Sequence, residues 1–383
     1  TSGSGKGGDL IVTAPQSITI AGSGKLAVET SNIGNAGNMN FTTQQLTLKD
    51  GVEISASTSG IGKAGEIGIN AEKFTLSGGA KVATNTSSSG SAGNLTVQVN
   101  DQLFLTGRGT GLFATTTDNS TGIGGNIIID PRLVQIEDGA TIAVDSRGSG
   151  IGGNISLQAS RLVLNQQGSI TAKTASTTGG NISLNVKDLT LLRRNSLISA
   201  TAGTDKAGGN GGNINFDGKF IIALENEDSD ISADAFSGTG GNIQINSQGI
   251  FGIESRPKPT EKSDITASSE LGISGTINLN QPDNSSIQNS FTELSPNVID
   301  TNALIANSCI ARGSKRQENS FTITGSGALR NSPGDVLIST YTTGDVRSVE
   351  STSRPWKKGD PIIEPQGLYR LPDGRSLLSR ACN

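Results

Sequence analysis

Histidine is absent from the 383 residues. Its absence removes the usual general base, the Ser-His and Cys-His nucleophile systems and the commonest metal ligand. Cysteine is nearly absent: there are two, Cys309 and Cys382, and two thiolates without an imidazole do not make a zinc site. Aromatic residues amount to 3%, with one Trp and two Tyr, so the interior must be built from thin aliphatic layers. No apolar run reaches the length of a transmembrane helix. Nor is there an excess of basic charge: the formal net charge is −4, which gives no reason to expect a nucleic-acid or anionic-membrane surface.

What is abundant is glycine, at 52 residues, about twice its usual share of roughly 7%. It is not scattered. The tripeptide Gly-Gly-Asn, or a near version, returns with starts at Asp9, Asn38, Glu66, Asn94, Asn126, Asn154, Asn181, Asn213, Asn242 and Thr276, at spacings of 27 to 34 residues. Self-similarity at this period marks a solenoid whose modules bury their apolar faces only against one another. Within a module the apolar residues alternate in pairs: Ile155 and Leu157, Leu162 and Leu164, Ile170 and Ala172. Counted from each start, positions +8, +10, +16 and +18 hold Leu46, Leu48, Ile54 and Ala56 in one coil and Val134, Ile136, Ile142 and Val144 in another.

Alternation of period two is a strand signal, and three pairs per coil predict three short strands. The expected fold class is all-β: a right-handed parallel β-helix of about ten coils, the hand following from the parallel crossover rule. The polar segments before each start, such as residues 87–93 and 146–153, are expected as corner loops on one edge. Two larger insertions, residues 225–230 and 254–264, the latter with Pro257 and Pro259, are expected to project from the rod. The repeat stops near residue 281, which divides the chain into a β-helix of residues 1–280 and a C-terminal capping module of residues 281–383. That module carries 11 Lys plus Arg against 10 Asp plus Glu, which leaves 19 against 24, or −5, for the first 280 residues. In it, Pro372, Asp373 and Gly374 between two apolar segments predict a β-hairpin. The chain opens at Thr1 inside a Gly-rich segment, and we expect it to be the C-terminal part of a longer protein.

Candidate sites are sparse. The repeated Asn38, Asn94, Asn126, Asn154, Asn181, Asn213 and Asn242 are expected to stack as a structural ladder rather than to bind glycans. Glu225, Glu227, Asp228, Asp230 and Asp234 are the candidate Ca²⁺ ligands or a carboxylate pair suited to glycoside hydrolysis. The plainer account is a solvated insertion, because the Gly-rich calcium repeat with its fixed Asp is missing. Asp130, Glu137, Asp138 and Asp145 admit the same two readings. The basic Arg312, Lys315 and Arg316 suit a solvated loop or an anionic surface. Cys309 and Cys382 bracket most of the tail, and a disulfide between them would close it into one loop, constraining its unfolded state. No cofactor is expected.

The tail carries Asn307-Ser308-Cys309, then Ser320-Phe321-Thr322-Ile323-Thr324-Gly325, Gly327 and Leu329, then Trp356, Gly359-Asp360-Pro361, Glu364, Gly367 and Leu371. With the repeats, it resembles the C-terminal part of filamentous haemagglutinin-type large exoproteins of two-partner secretion systems, particularly the cyanobacterial ones. The resemblance implies export to the cell surface through an outer-membrane β-barrel partner, engaged by an N-terminal secretion domain not visible in these residues. It also implies a non-enzymatic role as an adhesin or surface filament. The expected function is an adhesin-like extracellular stalk for attachment to surface glycans or for self-association. The alternatives are a polysaccharide lyase or glycoside hydrolase on a β-helix, and a filament or surface-layer (S-layer) subunit.

Overall fold

The computed structural model describes residues 2–204, 206–282, 367–370 and 376–379. The chain divides into two compact units, Thr1–Asn284 and Ser285–Asn383. The first is a parallel β-helix of about 9 turns. Its interior is what the alternation demands: Ile155, Leu157, Leu162, Leu164, Ile170 and Ala172 are each no more than 1% exposed. Each layer repeats the one below, as in the register Ile127 to Ile155 to Ile182. Stacking like on like lets β-branched and leucine side chains of successive rungs fill one continuous aliphatic core.

The rungs form two sheets. A broad 14-stranded sheet takes the first two strand segments of each coil, and a narrow 10-stranded sheet takes the third. The first two of the three expected short strands are not separate in several coils. There one bent strand runs through both, as in Ile67–Ser77, Leu95–Thr106, Ile155–Asn165, Ile182–Leu192 and Ile214–Ile222. A shift of register, for example between Ala159 and Arg161, takes the place of a turn; such irregularities bend a strand without ending it. The same device moves the pattern by one residue in the coil that starts at Asn181. Thr190 and Leu192 are buried there, at 0% exposure, where counting from the start would place Leu189 and Leu191. The hydroxyl of Thr190 consequently lies buried without a hydrogen-bond partner.

The narrow sheet stacks Lys25–Ala27, Glu53–Ser55, Lys81–Ala83, Gly111–Phe113, Thr141–Ala143, Ser169–Thr171, Leu197–Ser199, Asp230–Ser232 and Asp264–Thr266. Both insertions are folded onto this array. Glu225–Glu227 is a single 3-10 turn closed by Asp228 in the left-handed region, at φ 50°. Glu254–Ser255 pairs in parallel with Asp264–Ile265 as the outermost strand of the narrow sheet. The second insertion therefore does not simply project: its first residues lie on an edge that would otherwise present unpaired backbone groups. In the second unit, Gly367–Arg370 and Ser376–Ser379 pair as an antiparallel hairpin. Cys309, Cys382, Arg312, Lys315 and Arg316 lie outside the described residues. Among the described residues, no helix is long and apolar enough to cross a membrane.

Candidate functional site: corners and the polar groove of the narrow sheet

Three columns hold the corner where each coil begins. In the first, the Asn154 side-chain carbonyl accepts from both the backbone N–H (2.9 Å) and the side-chain amide (3.1 Å) of Asn181. The same pair of bonds joins Asn94 to Asn126, Asn126 to Asn154, Asn181 to Asn213 and Asn213 to Asn242. The column extends at both ends with substitutes: Asp9 accepts from Asn38 N–H, Asn38 accepts from Glu66 N–H, and Asn242 accepts from the Thr276 hydroxyl. Each amide satisfies a corner donor that no strand partner reaches.

The second column is the glycine before each start: Gly37, Gly65, Gly93, Gly125, Gly153, Gly180, Gly212, Gly241 and Gly275. A Cβ on any member after the first would fall on the carbonyl of the glycine one rung below. None of them has a positive φ. They are glycine because stacked backbone fills the place of a side chain, not because the corner needs a left-handed conformation. The third column was not apparent from the sequence. Thr30, Thr58, Thr86, Thr116, Ser146 and Thr174 form a ladder of single bridges. Thr30, Thr58, Thr86 and Ser146 each donate to a carbonyl four residues on, at 2.5–2.7 Å. The recurrence of Thr or Ser about twenty residues after each start is the signal that would have found it.

The outer face of the narrow sheet is the groove-like surface. By alternation its outward positions form three columns, and the central one is nearly covered: Ser55, Ala83, Ala143, Thr171, Ser199, Ser232 and Thr266 are buried although they point outward. Longer polar side chains flank this floor. Towards the N-terminal end it opens into a groove of about 590 Å³ lined by residues including Lys25, Glu29, Glu53, Ser57 and Asn85, and a neighbouring depression continues past Lys81, Phe113 and Thr115. Burial opposes the charge on Lys25, but Glu29 at 2.7 Å and Glu53 at 3.2 Å outweigh it and hold the ammonium above its ordinary range.

Carboxylates beside the floor are tied to the next rung. Glu29 accepts from Ser55, Asp145 from Thr171 and Lys173 N–H, and Asp234 from Thr266 and Ser268. Burial pushes the Asp145 carboxyl up despite those donors. Asp138 instead accepts from Thr106, and Asp130 lines a different depression with Pro131 and Arg132. Asp145 is therefore not brought together with either.

The acidic stretch is dispersed. Glu227 receives a two-pronged contact from Arg193, at 2.6 and 2.8 Å, which holds its carboxyl below the usual range. Glu225 pairs with Lys262 at 2.5 Å and is lowered likewise. Asp228 accepts from Asn195. Asp230, on the narrow sheet, accepts Asp264 N–H at 2.9 Å, and burial, aided by the charges of Asp228, Asp264 and Asp234, pushes its pKa up to about 6. Asp264, 1% exposed, is held by Arg256 and by Thr260 N–H and hydroxyl. Among the described residues, no three His, Cys, Asp or Glu gather closely enough to hold a metal ion. The acids are visible in the sequence, but their cations are not: winding brings Arg193 to Glu227, and the fold of the second insertion turns Arg256 back onto Asp264. Comparison with protein-family models, with curated proteins and with solved structures finds no match.

Proposed function

We propose that the chain is part of a non-enzymatic extracellular surface protein, an adhesin-like β-helical stalk that serves attachment or self-association. One observation carries the reading: the amide, glycine and hydroxyl columns repeat a rung rather than build a singular site. About 9 turns at one strand spacing each make a rod of roughly 43 Å, and a rung repeat offers the same polar groups many times over, which suits multivalent contact. The groove of the narrow sheet is the attachment face on this reading, and neutral or mixed-charge surface glycans are its ligands. Export through an outer-membrane β-barrel partner, by way of a secretion domain outside these residues, belongs to the same proposal.

The test has two arms. Intact source cells treated with protease should lose the protein, as detected by antibody against residues 66–199; protection until lysis would overturn the surface reading. Purified protein incubated with a panel of polysaccharides should bind without cutting. Polysaccharide cleavage is the second reading, favoured by the raised Asp230 on the narrow sheet, within reach of the charge of Asp234. Chain cleavage lost in Asp230→Asn would establish it.

A further inference from the structure

We propose that the corner-loop edge of the first five coils is a two-fold interface at which two copies of this chain meet side by side in opposite directions. The inference rests on the self-association half of the function proposed above and locates it. Four large aliphatic side chains stand out from this edge: Ile33 at 56% exposure, Ile61 at 68%, Ile123 at 52% and Ile151 at 60%. They belong to the first, second, fourth and fifth corner loops, residues 31–37, 59–65, 117–125 and 147–153. The third loop, residues 87–93, reads Ser-Ser-Ser-Gly-Ser-Ala-Gly and has no side chain larger than serine.

That order, two apolar loops, a small loop and two apolar loops, reads the same in both directions. A two-fold axis through the third loop, perpendicular to the helix axis, superposes the first loop on the fifth of the other copy and the second on the fourth. Isologous interfaces require such self-complementarity. The small third loop permits close approach at the axis. Position within the loops fits as well. Gly62 stacks on Gly34, Gly90 on Gly62, Gly122 on Gly90 and Gly150 on Gly122. Ile33 and Ile61 precede this glycine column, whereas Ile123 and Ile151 follow it. In the antiparallel pair the two isoleucine rows therefore pass on either side of the glycines instead of colliding.

Charge agrees. Lys63 in the second loop and Asp118 in the fourth are both exposed, and neither is in an ion pair among the described residues. The two-fold brings Lys63 of each copy to the loop that holds Asp118 of the other. Arg147, in the fifth loop, meets only the uncharged first loop. Elsewhere the β-helix is acidic, and side-by-side copies repel unless they meet at a neutral face. Five rungs give a contact about 20 Å long, at the small end of specific interfaces, so a weak, concentration-dependent dimer is expected.

Sedimentation velocity on the full chain, at low salt with reductant so that Cys309 and Cys382 cannot link copies, tests this. The wild type should show a monomer–dimer equilibrium. The exposed double substitution Ile61→Ser with Ile123→Ser should raise the dissociation constant at least about tenfold. Lys63→Asp should raise it several-fold, and adding Asp118→Lys should restore it, a rescue that loss of folding cannot imitate. If the wild type associates but these variants associate equally well, the edge is wrong and the self-association reading stands. If the wild type stays monomeric at about 100 µM, as it would were this edge made for a lipid or a foreign protein, both fail.

Discussion

The coil-start corner and the narrow sheet meet the same need, an acceptor for a backbone N–H that no strand partner reaches, with different chemistry. Between Asn94 and Asn213, each coil start is held by neutral amides that bond to one another. On the narrow sheet and its insertion, comparable unpaired donors are met by carboxylates: Asp145 takes Lys173 N–H in the middle, and from residue 225 onward Asp230 takes Asp264 N–H, Asp234 takes Ser268 N–H and Asp264 takes Thr260 N–H. A neutral ladder can be repeated indefinitely because each member costs nothing in repulsion to the next. A column of carboxylates cannot be, since like charges one rung apart raise one another, as at Asp230. The acidic rungs occur where Arg193 of the preceding coil and Arg256 and Lys262 of the second insertion supply counter-charges. The difference teaches that the amide corner can be propagated from coil to coil, whereas carboxylates accumulate only in the last coils, where counter-charges stand beside them.

The largest test of that contrast is removal of a counter-charge at the end. Arg256→Ala leaves Asp264 buried without its cation, at a cost of about 3–4 kcal/mol. Because stability in a repeat array is local, hydrogen exchange should accelerate at residues 263–267 while protection at residues 155–171 stays unchanged. Unchanged exchange at residues 263–267 would remove the argument for a charge-locked end. A step smaller is Gly153→Ala in the middle. Its Cβ would fall on the Gly125 carbonyl, and forcing two rungs apart costs about 2–3 kcal/mol. Loss of protection should spread to the rungs on both sides, measured the same way. Had the corner needed only flexibility, the substitution would stabilise slightly by restricting the unfolded chain.

Next comes Asn154→Ala, which leaves the N–H of Asn181 without its acceptor and breaks two amide links, to Asn126 and to Asn181. The expected cost is about 1–2 kcal/mol, read as a lower urea midpoint with near-wild-type binding at the groove. This ladder was legible in the sequence because the asparagines recur at nearly constant spacing and their neighbours alternate. The core was legible for the same reason at Leu46, Leu48, Ile142 and Val144. Counting failed at Thr190, where a register shift inside one bent strand exchanges the two faces; no residue type announces such a shift. The glycines were visible, but the reason for them was not, because the carbonyl that excludes a side chain belongs to a residue 27 or more positions earlier. The acidic stretch was legible as composition and misleading as a cluster. Arg193 is 34 positions from Glu227, and only winding makes them neighbours.

The smallest effect expected concerns Asp230, and its sign tells a carboxylate crowded by its neighbours from one matched by a cation. Its folded-state pKa is about 6 against an ordinary value of 3.8. Between those values the unfolded chain releases the proton and the folded chain retains it, so stability from this residue is full below about pH 4 and is lost as pH rises through about 6. The shift corresponds to about 3 kcal/mol by linkage, and solvent screening at this partly exposed position reduces it to about 1 kcal/mol. Asp230→Asn keeps an oxygen to accept Asp264 N–H and removes the charge. The variant should therefore melt a few degrees above wild type at pH 7.5 and level with it at pH 4. Glu227 has the opposite sign: its lowered pKa stabilises the fold above the carboxylate range, and that contribution is lost on acidification. Glu227→Gln should therefore melt below wild type at pH 7.5, and the two melting curves should converge as pH falls. If instead both substitutions shift melting in the same direction at pH 7.5, Asp230 is not a carboxylate strained by its neighbours, and the end of the helix is no more than a charged continuation of its middle.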